Sequence, residues 1–296
     1  MKNWLLSFSF FLIFFLNHAQ DSVIVPLHER VTKTFRSTTF VTSQTIETQP
    51  ERSFQLLVQH RFGQINTHKQ PLKSFFGLDL PSNIRFGFVF PVFRNLDAGI
   101  GRTKYNKQLD ADIKYVFLHQ TTDNYIPLSL AFYFNTSYIT DDFPETGSNY
   151  FFADGITPFK YRKTHRLAYS TQMMAARKIN NTFSVQTSAV YVYKNLADTG
   201  VTNYRWALPT ALRIKTGFMS AIIAEYALLP GKPHYFVHPF SLAFEVITTT
   251  HSFQVFITSK DHIPYNNMYT LLNDDVTKGL FYIGFNLHKT FYFQKK

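Results

Sequence analysis

From residue 54 onward, apolar and polar side chains alternate with a period of two. Phe54, Leu56 and Val58 are separated by Leu57 and flanked by Gln55 and Gln59, and Ile84, Phe86, Phe88 and Phe90 interleave with Asn83, Arg85 and Gly87. Leu96, Ala98 and Ile100 interleave with Asp97, Gly99 and Gly101; Ala111, Ile113 and Tyr115 interleave with Asp110, Asp112 and Lys114. The same rhythm recurs around Leu128–Phe134, Leu167–Met173, Val185–Tyr191, Trp206–Ile214, Ile222–Leu228, Phe240–Val246, Phe253–Ile257 and Phe281–Phe293. Successive side chains of a strand point to opposite faces, so each run is a strand with one greasy face and one polar or small face. The pattern predicts about twelve strands of roughly 7–13 residues and shows no convincing helical period.

The connections carry a second periodicity. Taken in order, the gaps at 63–83, 103–109, 139–165, 194–204, 230–235 and 259–278 are often long, and those between them, at 91–94, 119–125, 178–182, 217–220 and 248–251, are short. Alternating long and short connections between an even number of antiparallel strands is the layout of an outer-membrane barrel, whose loops are long outside and whose turns are short inside. The expected fold is therefore all-β, a transmembrane antiparallel β-barrel of about twelve strands.

Alternation alone does not say whether the greasy face meets a protein core or lipid. Composition weighs for lipid. The 296-residue chain holds 33 Phe and 17 Tyr, 18% aromatic residues and only 17% charged ones, against about 25% charged in soluble domains. Tyr105, Tyr125, Tyr138, Tyr193, Tyr204, Tyr235 and Tyr292 fall near strand ends, where aromatic girdles lie. A sheet exposed to acyl chains must close, because lipid cannot satisfy a free edge. The polar face then lines a lumen. Arg61, Arg85, Asp110, Asp112, Lys114, Arg205, Arg213, Lys215, Glu225 and Glu245 are the expected lumen charges.

The first residues read as an export signal: Lys2, an apolar run from Trp4 to Leu16, then Asn17-His18-Ala19. The run is shorter than the ~20 residues of a spanning helix, so cleavage near Ala19 is expected. The chain has no Cys, which removes disulfides, thiolate metal sites and Cys nucleophiles. Residues 20–52 are rich in Thr and Ser with mixed charge and show no clear period. They are a periplasmic arm or a plug segment, and a mostly exposed arm is the plainer expectation. Residues 53–296 form the barrel.

Little points to chemistry. His234 and His238 have the spacing of a helical zinc pair, but four residues of strand span about 13 Å, too far for two ligands about 2 Å from one metal. Asp110 and Asp112 share a strand face about 6.5–7 Å apart, and with Lys114, Arg85 and Arg61 nearby they read as an ion-pair network. His60, His251, Ser129, Ser170 and Ser252 offer parts of a hydrolase without a spacing that assembles them. Gly99-x-Gly101 lacks the third glycine and the helix of a phosphate loop. No cofactor or metal is expected. The net charge of +11 is scattered rather than massed, and the chain is read as exported, so nucleic acid is not the expected partner. Anionic lipid and lipopolysaccharide are, with Lys160, Arg162, Lys163, His165 and Arg166 clustered beside Asp141, Asp142, Glu145 and Asp154 in one long loop. Barrel-assembly machinery is a further expected partner.

An ordered set of short words adds to this. They are Thr34-Phe35-Arg36-Ser37-Thr38, His60-Arg61-Phe62-Gly63, Phe75-Phe76-Gly77-Leu78-Asp79, Asn83-Ile84-Arg85, Gly99-Ile100-Gly101-Arg102, Pro127-Leu128-Ser129, Ala176-Arg177-Lys178, His251-Ser252-Phe253-Gln254 and Gly284-Phe285-Asn286-Leu287. In this order they resemble a Bacteroidetes β-barrel family, domain of unknown function 5777, over residues 31–293. The chain departs from that family's pattern at Thr39, near Ser43 and at Thr250. The resemblance implies an outer-membrane barrel and supplies no reaction or ligand. Three functions follow as expectations: a narrow pore for small solutes, a non-conducting barrel that binds or anchors, and, more remotely, a membrane hydrolase.

Overall fold

The computed structural model describes residues 28–293, apart from 70, 143–149, 153, 198–201, 233–235 and 272–273. The export signal and its cleavage point lie outside the described residues. Twelve antiparallel strands close into one barrel in sequence order, with β1 (Ser53–Asn66) paired to β12 (Leu280–Tyr292). Between them run β2 (Asn83–Phe93), β3 (Leu96–Thr103), β4 (Gln108–Leu118), β5 (Ser129–Ile139), β6 (Leu167–Lys178), β7 (Phe183–Lys194), β8 (Tyr204–Lys215), β9 (Ser220–Leu228), β10 (Phe240–Ile247) and β11 (His251–Thr258). Connections at 67–82, 140–166, 229–239 and 259–279 gather at one end; the turns at 94–95, 119–128, 179–182, 216–219 and 248–250 gather at the other, where β1 starts and β12 finishes.

Closure leaves no strand edge, so the backbone is paired within the sheet all the way round. At two places prolines disturb the ladder. The β2–β3 ladder shifts between Pro91 and Phe93, and the β7–β8 ladder is interrupted, in unchanged register, between Thr187–Thr210 and Val190–Ala207, opposite Pro209; a proline cannot donate to a ladder. Asn95 closes the two-residue β2–β3 turn with φ 68°, a left-handed conformation that Asn tolerates in hairpins.

The alternation sorts the two faces as expected. Outward stand Phe86, Phe88, Phe90, Ile113, Tyr115, Trp206, Phe244 and Val255, each largely exposed to whatever surrounds the barrel. Inward stand Gln55, Gln59, Arg61, Asp97, Lys114, Gln172, Gln186, Glu225, Glu245, Gln254 and Asn286, all buried. One arc of the inner wall, on β5 to β10, is lined by small residues: Ala131, Ala168, Ala176, Ala207, Ala211, Ala221, Ala227 and Ala243 are all buried. Small side chains there widen the lumen, and something fills it.

Two segments do. Residues 28–52 enter from the short-turn end, not as the mostly exposed arm that their Thr and Ser content suggests but as a hairpin: Phe40 N–H donates to Ser43 O at 2.8 Å and Thr45 N–H to Thr38 O at 3.0 Å, with a bridge between Thr39 and Gln44. Phe35, Phe40, Val41 and Ile46 join the apolar core with wall residues such as Met174, Val190 and Ala207. The hydroxyl-rich stretch is buried because its polar groups find partners on the wall, which removes the cost of leaving water. From the long-loop end, loop 259–279 dips in around a short helix, α1 (Tyr265–Met268), all four of whose residues are buried. Tyr265 meets Tyr133 of β5 edge-on at 5.5 Å.

A charge placed on the outer face would meet this fold's surroundings directly. Phe244→Arg, near the centre of β10, is expected to cost about 2–4 kcal/mol if that face meets hydrocarbon, read as the shift in denaturant unfolding of the protein in lipid vesicles. A cost near zero would mean that the aromatic face is not in lipid.

Candidate functional site

The inner wall and the inserted hairpin form one polar network. Glu225 of β9 accepts the Thr42 N–H at 2.8 Å and the Ser43 hydroxyl. Glu245 of β10 accepts from the Ser37 hydroxyl at 2.5 Å and from Arg213 Nε at 2.8 Å, with Ser252 and Gln254 closing round it at 3.3 and 3.1 Å. Arg61 is fully buried and has carbonyl partners: it donates to Val41 O at 2.7 Å and to Asn286 Oδ1 at 3.0 Å, and its guanidinium lies 4.2 Å over the Phe256 ring. Lys114 reaches Thr38 O and Gln44 Oε1, both at 3.3 Å. Asp97 accepts the Gln49 N–H at 3.0 Å, and Gln186 donates to Gln44 O at 2.7 Å while accepting the Ile46 N–H at 3.1 Å. Wall side chains thus take the place of a neighbouring strand for the hairpin's backbone.

A second cluster sits on β2 to β4. Arg85 forks onto Asp110, Nε to Oδ2 at 2.9 Å and Nη2 to Oδ1 at 2.5 Å, with Asp112 3.9 Å away and Gln59 at 3.2 Å. The glycines of β2 and β3 make room for it. A Cβ on Gly101 would lie 2.4 Å from the Arg85 guanidinium, and one on Gly99 would lie 2.6 Å from the Asp112 carboxylate. These glycines let long charged side chains lie flat against the wall.

Between hairpin and dipping loop lies a cavity of about 20 Å³, lined by Gln44, Arg85, Asp110, Tyr133 and Tyr265 among others. That is room for about one water.

Eight of the charged residues expected in the lumen, Arg61, Arg85, Asp110, Asp112, Lys114, Arg213, Glu225 and Glu245, lie inside it in this network. Arg205 also faces inward, its guanidinium 4.4 Å over Phe236 of the loop 229–239. Lys215 does not: β8 has reached the short-turn rim by then, and its side chain stands in the open mouth. The other candidates do not gather. His60 faces outward, stacked 5.2 Å from Phe285. His238 Nδ1 accepts the Leu229 N–H at 3.0 Å, and its partner in spacing, His234, lies outside the described residues. Ser129 accepts the Gln120 N–H at 2.8 Å, the Ser252 hydroxyl is committed to Ser37 and Glu245, and His251 is exposed at a turn. Asp97, Gln186, Gln254, Asn286 and His288 belong to the network and were not singled out, although each sits on the polar register of its strand.

The hairpin's lead-in is held at the rim. Val31 N–H donates to Gln120 O at 2.7 Å and Thr122 N–H to Glu29 O at 2.9 Å, while His28 stacks on Tyr125 and bonds Asp123. Hydrogen bonds from Thr121 and His28 pull the Asp123 carboxyl down to about 2. Its folded value lies below its unfolded one, so the contribution is complete above roughly pH 4 and is lost as pH falls toward 2.

Amide exchange of Val31 and Thr122 should therefore show added protection above about pH 4 that fades below it, and Asp123→Asn should abolish that pH dependence. Glu225→Ala removes the acceptor of both Thr42 and Ser43 and is expected to cost about 1–3 kcal/mol, concentrated in faster exchange of the 40–45 amides. Arg213→Ala leaves the Glu245 carboxylate buried without its cation, and about 3–5 kcal/mol is expected from denaturant unfolding.

Among solved structures, the KdgM porin aligns with 80% of this chain and 99% of its own at 7% identity and a TM-score of 0.45. The NanC porin aligns with 80% and 100% at 6% identity and 0.49. Outer membrane phospholipase A from Escherichia coli aligns with 80% and 89% at 12% identity and 0.43. No functionally curated protein matches the chain in sequence. A family model described as a membrane bound beta barrel domain matches residues 35–291, a span that takes in most of the inserted hairpin as well as all the strands from β1 to β11 and nearly all of β12. The chain belongs to that family of membrane bound beta barrels, domain of unknown function 5777.

Proposed function

We propose that this protein is an outer-membrane barrel of a Gram-negative bacterium whose lumen is shut at rest by its own N-terminal hairpin. In that state it is a non-conducting envelope component, not an enzyme. The observation that carries this reading is the hairpin buried inside the barrel, its Phe35, Phe40, Val41 and Ile46 packed in the core, with a cavity of about 20 Å³ between it and the dipping loop. The short turns and the hairpin's point of entry belong in the periplasm and the long loops outside, as for barrels of this layout. Lipid and lipopolysaccharide surround it, with Lys160, Arg162 and Lys163 exposed on an outer loop, and barrel-assembly machinery inserts it. A Bacteroidetes source and removal of residues 1–19 belong to the same reading.

One feature favours a second state. The hairpin is held largely by side-chain-to-backbone hydrogen bonds from charged and amide groups, bonds that water can replace when the hairpin leaves. A barrel emptied in this way is a narrow pore whose selectivity is set by Arg61, Arg85, Asp112, Lys114 and Arg213.

Planar-bilayer recording separates these states. The full chain should be silent at moderate voltage. A variant lacking residues 28–50, checked for closure by heat-dependent gel mobility, should open in discrete steps. Arg85→Gln with Arg213→Gln should change the ion selectivity of those steps. Steady conductance by the full chain would overturn the proposal.

A further inference from the structure

Where the hairpin meets the wall at the short-turn mouth, the charges on the two sides have the same sign. The hairpin presents Lys33 and Arg36, and the wall presents Lys178 of β6 and Lys215 of β8. All four line one cleft of about 270 Å³, together with Thr32, Thr34, Thr182, Ser184 and Ser220. Arg213 lies at its inner end, already paired to Glu245 at 2.8 Å. Among the described residues none of the other four makes an ion pair. Glu47 of the hairpin, which accepts the Phe35 N–H at 2.9 Å, borders the neighbouring opening and is not part of this cleft's lining. Lys33 and Arg36 also border a second opening, of about 550 Å³, on the side of the 248–250 turn, so the two cations stand on a rib between the two openings.

A seam of like charge works against its own closure. Two cations on each side, in a concave cleft lined by hydroxyls, instead suit a multiply charged oxyanion that touches both walls. A phosphate group carries about −1.5 to −2 at neutral pH with several strong acceptor oxygens, and Arg and Lys are its usual partners. The cleft lies near the lower end of the size range of small-molecule sites.

The geometry points to a phosphate-binding site in this seam, in which a phosphate-bearing anion bridges Lys33 and Arg36 of the hairpin to Lys178 and Lys215 of the wall and clasps the hairpin in the lumen. This rests on the plugged-barrel reading and names the ligand class that reinforces it. The phosphate can come from a free anion or from a phospholipid headgroup of the adjacent leaflet, and the chemistry in the seam is the same.

Full-length protein in neutral detergent at low salt is titrated calorimetrically with inorganic phosphate and with pyrophosphate, and amide exchange of residues 32–38 is followed. Saturable binding of one pyrophosphate per chain, slower exchange of those amides, and at least a tenfold weaker affinity in the exposed-residue variant Lys33→Gln/Lys215→Gln are the expected results. Lys73→Gln/Lys160→Gln, at the opposite end, keeps the net-charge change and should leave the affinity within about twofold. If the soluble anions fail but phosphatidylglycerol in mixed micelles protects the same amides in the wild type and not in Lys33→Gln/Lys215→Gln, the headgroup is the source. Absence of both effects, or equal affinity in the two double variants, overturns the site. Pyrophosphate binding by a protein that conducts when full length would leave the site standing and remove only the resting-closed reading.

Discussion

Everything inside this barrel depends on one constraint: a polar group removed from water must be met by another. Twelve closed strands satisfy their own backbone. The hairpin of residues 28–52 has no neighbouring strand, so its N–H and C=O groups are met by side chains from the wall. Glu225, Arg61, Asn286, Gln186, Asp97 and Lys114 each meet a hairpin backbone group. The charged residues of the lumen are therefore structural partners before they are anything else. Others serve each other, as Arg85 and Asp110 do, or meet a loop, as Arg205 does over Phe236.

The same constraint explains the uneven inner wall. Long charged residues crowd β1 to β4, where Gly87, Gly99 and Gly101 let them lie flat. Alanines line the arc from β5 to β10, where the apolar side chains of the hairpin and of α1 pack. The lumen is divided into a polar half that grips and a small-residue half that accommodates. Removing charge from the first half loosens the plug; adding bulk to the second displaces it.

The outer face follows a simpler rule. Phe, Tyr, Leu and Ile stand outward on every strand, and rings stack on one another, as Phe54 does on Phe291 at 4.7 Å. Outward stacking of this kind is of no use to a protein in water and suits one in acyl chains. At the mouth the rule changes again: side chains in water can be charged without an ion pair, and among the described residues Lys33, Arg36, Lys178 and Lys215 make none.

Much of the fold was legible in the residues themselves. A period of two fixes which side chains share a face, and that follows from strand geometry alone; so the strand count, the direction of Phe86 and Phe88, the inward register of Arg85 and Glu245 and the alternation of long and short connections could all be read before any coordinates. The fate of residues 28–52 could not. Thr and Ser are common both in exposed arms and in buried segments with partners, and the difference lies in whether Glu225, Asn286 and Gln254, some two hundred residues away, stand where the hairpin's groups fall. Lys215 was misplaced for a related reason: its parity is inward, but only the tilt and length of β8 decide that the strand has left the lumen by then. Alternation is local and survives in the sequence; partnership across a closed sheet is a property of distance, which only the tertiary structure supplies.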